Sequence, residues 1–214
     1  ERGKDATGIY TVESGIVKDN EEAKKFINNK HKIDKIKPAN LLIGHVRAKT
    51  VGHNTVDNAH PFEYGDLVGA HNGSLTNHLS LIRQYGFNTC SYNVDSQVLI
   101  SALNENLKDD KSDDFKVLSE YEGAAALLVY NKKEDVLYVM HDKNRPLFYG
   151  YDNGNMYISS IKETLESVGC IDCKVCADAC PTNGLQIINK KVRFSADLCS
   201  LCNNVNNEEH CAAD

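Results

Sequence analysis

"GDLVGAHNGSLTNH" (65–78) passes from an apolar run into small polar residues and then into helix-like spacing. Leu67 to Ala70 read as a buried strand, and His71-Asn72-Gly73 is the polar cargo delivered at its end. Beyond it, Ser74 or Thr76 offers an N-cap, Leu79, Leu81 and Ile82 recur at helical intervals, and Gly86 offers a stop. "LLIGHVRA" (41–48) repeats the plan, with an apolar run ending in Arg47.

Around these two strands the chain alternates without a repeat. "TGIYTV" (7–12) reads as a strand, "NEEAKKFINN" (20–29) as an amphipathic helix, and "VDSQVLISALNENL" (94–107) as a helix capped by Asp95 with Val98, Leu99 and Leu103 on one side. "KDDKSDD" (108–114) is most simply a solvated loop. Then "AAALLVYN", "DVLYVMHD", "PLFYGYDN" and "NMYISS" follow at hairpin spacing, separated by turn residues at 132–134, Asn144 and Asn153-Gly154. A mixed start and a β-meander end predict a layered α+β domain with sheets covered by helices.

Composition narrows the function. Hydrophobic residues make up 41% and charged residues 25%, with four prolines, as in an ordinary globular domain. A net charge of −6 and a pI near 5.8 argue against nucleic acid or an anionic membrane as partner, though placed arginines could hold a small acidic ligand. No apolar run approaches the ~20 residues that cross a bilayer, and no leader pattern stands at the start, so the expected location is cytoplasmic.

Cysteines are unevenly placed. Cys90 stands alone, while Cys170, Cys173, Cys176, Cys180, Cys199, Cys202 and Cys211 crowd the end of the chain. Clustered thiols at short fixed spacings suggest metal rather than a disulfide framework. The chain therefore divides into 1–167 and 168–214, with a boundary near Ser167-Val168-Gly169.

In the larger part, "RGKDATG" (2–8), "GHVRAKTVG" (44–52), "NAHPF" (58–62), "AHNGSLTNH" (70–78) and "VDSQV" (94–98) hold the chemistry. Singly, each has a plain reading: His-Asn-Gly as a turn, Arg47 as a surface ion pair, Asp95 as a cap. In that order they resemble the glutaminase domain of class II glutamine amidotransferases, the N-terminal-nucleophile group, over residues 1 to about 165. "GHVRAKTVG" and "AHNGSLTN" look closest to the phosphoribosylpyrophosphate-using members, and "NAHPF" to the glucosamine-6-phosphate-forming ones.

That resemblance implies a four-layer αββα N-terminal-nucleophile hydrolase sandwich, L-glutamine as substrate, and no cofactor for this domain. It implies Arg47 as clamp on the α-carboxylate, Asp95 as acceptor for the α-ammonium, and Thr50 and His71 as further substrate-binding residues. A guanidinium suits the first task because it grips a carboxylate bidentately. Asn72 and Gly73 match the family's oxyanion hole, where losing one donor typically costs ~100- to 1000-fold in rate. His60 and His71 are implied as supports of the pocket rather than bases; His45 and His78 show no metal spacing either. Ala48 and Lys49 replace the larger or more rigid residues that often follow the clamp. The resemblance also implies that Arg2, Gly3, Asp5 and Gly8 frame the pocket floor.

One role is unfilled. The family attacks the amide with an N-terminal cysteine whose own α-amine is the base. The chain opens on "ERGKDATGIY" with no cysteine nearby, and Cys90 has no free α-amine. The nearest family pattern places a strand and helix before "RGxDxxG", so the domain as given is expected to lack its first strand and nucleophile and to be inactive alone.

The tail reads separately. "CIDCKVCADACP" (170–181) is C-x2-C-x2-C-x3-C-P, the bacterial ferredoxin run. "LQIINKKVRF" (185–194) reads as two short strands about Asn189-Lys190, and "DLCSLCNNVNNEEHC" (197–211) as a degenerate second half with Val205 where a cysteine is expected. By cross-ligation Cys170, Cys173, Cys176 and Cys211 would hold a [4Fe-4S] cluster. Cys180, Cys199 and Cys202 suffice for a three-iron cluster or for none. Zinc held by Cys176, Cys180, Cys199 and Cys202 is the alternative.

Two functions follow. The first is glutamine hydrolysis to glutamate and ammonia, passed to an ammonia-accepting synthase domain or subunit, with the tail pointing to a redox partner. The second is a non-catalytic glutamine-binding or scaffold domain carrying an iron–sulfur electron-transfer module.

Overall fold

The computed structural model describes residues 3–49, 52–108, 115–142, 144–152, 155–166, 185–188 and 191–194. Arg2, Thr50 and all seven cysteines of the tail lie outside the described residues.

The fold is mixed α/β. Strands β1 (Ala6–Thr11), β2 (Gly15–Asp19) and β3 (Leu42–Arg47) form an antiparallel sheet in the order β2-β1-β3. Strands β4 (Phe62–Tyr64), β5 (Leu67–Leu75), β6 (Gly123–Asn131) and β7 (Val136–His141) form most of a second sheet. β8 (Phe148–Asp152) and β9 (Asn155–Ser159) pair only with each other among the described residues. The predicted hairpin in 185–194 forms as β10 (Leu185–Ile188) and β11 (Lys191–Phe194), and β11 extends the second sheet by pairing with β7, giving β10-β11-β7-β6-β5-β4. The helices are α1 (Ala23–Asn28), α2 (Lys30–Ile33), α3 (His78–Gln84), α4 (Asp95–Lys108), α5 (Val117–Glu120) and α6 (Lys162–Glu166).

Period-two alternation sets the layers. In the register Ala6↔Arg47, Gly8↔His45 and Tyr10↔Ile43, those side chains share one face of the smaller sheet. Tyr10 and Ile43 pack there against Val68, Ala70 and Tyr130 of the larger sheet. The opposite face of the larger sheet buries Leu67, Leu75, Leu127 and Val129 against Val98, Leu99, Ile100 and Leu103 of α4. α1 packs against β1 through its contacts on the other side, burying Phe26. Burial of each large aliphatic side chain contributes about 1.5–3 kcal/mol.

α4 is buried on nearly every side because α3 and α5 flank it as well. Among its buried polar residues, Asn106 accepts the Val117 N–H at 2.9 Å and donates to the Tyr85 hydroxyl at 3.1 Å.

Two expectations change, and two strands are added. Of the two caps expected before the helix after His-Asn-Gly, Ser74 is excluded and Thr76 falls one residue short, because the helix starts at His78 and β5 runs on through Leu75 with Leu75 paired to Gly123. Asn77 precedes α3, and its side chain is spent on the Glu120 carbonyl and the Glu122 N–H. The four C-terminal strands are not one meander: β6 and β7 join the large sheet, while β11 takes the edge beside β7 and β8–β9 stand as a separate hairpin. β2 and β4 are short additions that the sequence pattern does not signal. Among the described residues, no helix is long and apolar enough to cross a membrane.

Candidate active site

The ends of β3 and β5, the first turn of α4 and the 53–61 loop converge on a polar cavity of about 390 Å³. Its walls include Gly3, His45, Arg47, Ala48, His60, His71, Asn72, Gly73, Asp95, Ser96 and Arg145. The volume lies in the range of small-molecule pockets. Arg47, the run His71-Asn72-Gly73 and Asp95, separated in sequence, are thus brought together.

β5 turns alternate residues to opposite sides, so Asn72 and Gly73 reach the cavity from different faces of one strand. Gly73 has no room for a side chain, because a Cβ there would overlap the Ala124 carbonyl oxygen of β6. Gly8 is similarly constrained by the His60 carbonyl, which crosses directly over it.

Arg47 is 5% exposed, and its Nη1 donates to the His53 carbonyl at 3.2 Å. Asp5 and Asp95 both act on its charge. Asp5 is fixed behind it by accepting the Lys49 N–H at 2.7 Å. Asp95 is also 5% exposed; its Oδ2 accepts the Leu75 N–H at 2.7 Å and its Oδ1 the Ser96 N–H at 3.0 Å. It therefore ties the helix to the strand. Gln97 instead takes the N–H groups of Asn93 and Val94 at the helix start.

His71 has both ring nitrogens engaged, Nδ1 with Ser96 Oγ at 2.8 Å and Nε2 with the Ala124 carbonyl at 3.4 Å. Burial pushes its pKa down against the opposing pull of Asp95. A neutral ring with both nitrogens committed supports the wall and is not free to act as a base. The His45 ring lies 4.1 Å from that of His60, and His60 4.5 Å from Phe62. Burial, helped by His71, pushes His45 down to about 4. Burial, then His45, His71, Arg47 and Lys18, drives His60 well below the usual imidazole range. Lys18 anchors the loop bearing His60 by donating to the Ala59 carbonyl at 2.8 Å.

Cys90 is exposed in a short turn (Thr89–Ser91) and does not line the cavity. His78 sits at the start of α3, with Nδ1 facing the Leu75 carbonyl. Among the described residues no cluster of His, Cys, Asp and Glu is arranged for a metal ion. Sequence reasoning missed Ser96 and Arg145. Ser96 had a signal, being adjacent to Asp95 on a helix start; Arg145 had none beyond a position after a strand and before Pro146.

A second cavity, about 370 Å³, runs beside β3. Ile9, Ala23, Ile27, Val46, Leu128, Leu147, Ile158 and Ile161 make it mostly apolar. Among the described residues β3 pairs with β1 alone, so its other edge is open. His45, Val46 and Asn72 line both cavities.

The glutamine amidotransferase domain family matches residues 45–167. The glutamine–fructose-6-phosphate aminotransferase of Zymomonas mobilis is 32% identical over 168 residues, covering 74% of this chain and 27% of that protein. Its counterpart in Gluconobacter oxydans is 30% identical over 166 residues, with the same coverage. Among solved structures, the allosteric regulatory enzyme of purine biosynthesis is similar at a TM-score of 0.62 and 25% identity, covering 79% of this chain and 38% of that one. The glutamine phosphoribosylpyrophosphate amidotransferase of B. subtilis gives 0.57 at 25% identity, with equal coverage. The chain spans about a quarter of the length of the curated relatives it matches, 27% of each of these two.

Proposed function

Since the chain belongs to the glutamine amidotransferase domain family, we propose that its polar cavity binds L-glutamine and serves hydrolysis to glutamate and ammonia for transfer to an acceptor. The observation that carries this is the meeting of Arg47, Asp95, Asn72 and Gly73 in one cavity. Arg47 takes the α-carboxylate, Asp95 the α-ammonium, and the Asn72 amide with the Gly73 N–H receives the oxyanion. Thr50, whose place lies outside the described residues, is assigned to the substrate on the resemblance alone.

The order of helices, large sheet, small sheet and α1 supports the four-layer αββα reading of the class II, N-terminal-nucleophile group. The nucleophile this chemistry needs is a cysteine thiol with a free α-amine, which no described residue lining the cavity supplies. The open edge of β3 and the apolar groove beside it, which meet the polar cavity at Asn72 and His45, give an extended segment carrying that thiol a place to lie. The thiol attacks the amide carbon, its proton passing to the cysteine α-amine. The C–N bond then breaks, ammonia leaves with that proton, and water cleaves the thioester to glutamate and free thiol. The ammonia goes to a synthase domain or subunit.

For the tail, the cysteine spacing supports a [4Fe-4S] cluster on Cys170, Cys173, Cys176 and Cys211, and with it a redox partner. Broad visible absorption with iron and sulfide supports it, and stoichiometric zinc overturns it.

The decisive experiment is calorimetry of this chain with L-glutamine, followed by a glutaminase assay of the gene product extended upstream to its start. One-site binding lost in Arg47→Ala, with turnover on restoring an N-terminal cysteine, is expected. Absence of binding overturns the pocket assignment. Binding without turnover by an extended chain carrying that cysteine turns the reading to a glutamine-binding scaffold.

A further inference from the structure

Arg145 lies in the turn between β7 and β8 and lines the polar cavity beside His71, Asn72 and Gly73. Its placement is fixed by the turn. The Asp142 carboxylate accepts the N–H groups of Ala125 and Asn144, each at 2.6 Å, and Ala125 is the register partner of Gly73. The guanidinium is poorly satisfied: Nε is buried without a hydrogen-bond partner, and Nη1 reaches only the adjacent Asn144 carbonyl at 3.3 Å. Among the described residues it makes no ion pair.

The other charges are already matched. Arg47 has Asp5 and Asp95 acting on it, Asp142 is committed to backbone N–H groups, and burial keeps the three histidines neutral. Bound L-glutamine brings one carboxylate for Arg47 and one ammonium for Asp95. Its side-chain amide is neutral and gives Arg145 no counter-charge. We propose that Arg145 is the cation that receives a ligand's second negative charge. It thereby favours the tetrahedral oxyanion during hydrolysis and the γ-carboxylate of L-glutamate after it.

This inference rests on the glutamine-pocket reading, and its test separates the two. Calorimetry at neutral pH uses L-glutamine and L-glutamate with wild type, Arg145→Met and Arg145→Lys, each checked by thermal melting. Wild type is expected to bind glutamate at least as tightly as glutamine. Arg145→Met loses glutamate affinity by about tenfold or more, as expected for one charge-assisted contact, while glutamine affinity changes less than about threefold. Arg145→Lys keeps most of the glutamate affinity. Equal losses for both ligands, or unchanged glutamate affinity in Arg145→Met, overturn the inference and leave the glutamine pocket standing. If wild type binds neither ligand, the pocket reading fails and the inference with it.

Discussion

His45, His60 and His71 set the pH response of the site. Unfolded, each titrates near 6.5; folded, burial holds His45 near 4 and the other two below their usual range. Between those values the unfolded chain binds more protons, so stability rises with pH through this window and is lost as pH falls from about 6.5 toward 4. We expect a loss on the order of 1–3 kcal/mol across it, read as a falling melting temperature. His60→Asn should flatten that slope, and a wild-type melting temperature constant from neutral to about pH 4.5 would count against the neutral cluster. At this scale the sequence pointed to Arg47, Asn72, Gly73 and Asp95, which the structure brings to one cavity, because each stands at the end of a strand or start of a helix within a dense motif. Arg145 was hidden because its place in the cavity depends on sheet register: β7 brings Asp142 against Ala125, which brings the turn against Gly73.

At the scale of elements, β5 and α4 carry the site, and both were legible. β5 has an unbroken apolar start, and α4 has long helical periodicity. β2 and β4 were not, because short strands lack enough residues to display alternation. At the start of α3 Ser74 suits a cap in isolation, yet it pairs with Ala124 and the Leu75 N–H is held by Asp95, so the cap position falls at Asn77, next to the alternative Thr76. Tertiary pairing overrode local propensity there. Gly73→Ala should cost about 1–3 kcal/mol, because the Ala124 carbonyl leaves no space for a methyl group. Leu99→Ala in α4, where Leu99 is fully buried between helix and sheet, should cost about 2–5 kcal/mol. Chemical denaturation measures both; a cost below about 0.5 kcal/mol for Leu99→Ala would contradict the packing described.

At the scale of the whole molecule, β10 and β11 cover the β7 edge through Lys191↔Met140, Val192↔Val139 and Arg193↔Tyr138. Ending the chain at residue 167 exposes that edge, which is a template for pairing with another copy. The shortened chain should melt lower and associate with rising concentration in sedimentation. Equal melting and a strictly monomeric state would mean that the hairpin contributes nothing to the larger sheet. The wall formed by His45, Val46 and Asn72, common to the polar cavity and the apolar groove, has a wider consequence. Occupants that share a wall can be coupled, and any such coupling is reciprocal. If a segment in the groove alters the affinity for glutamine by some factor, glutamine must alter the hold on that segment by the same factor. Either quantity could then be measured to obtain the other.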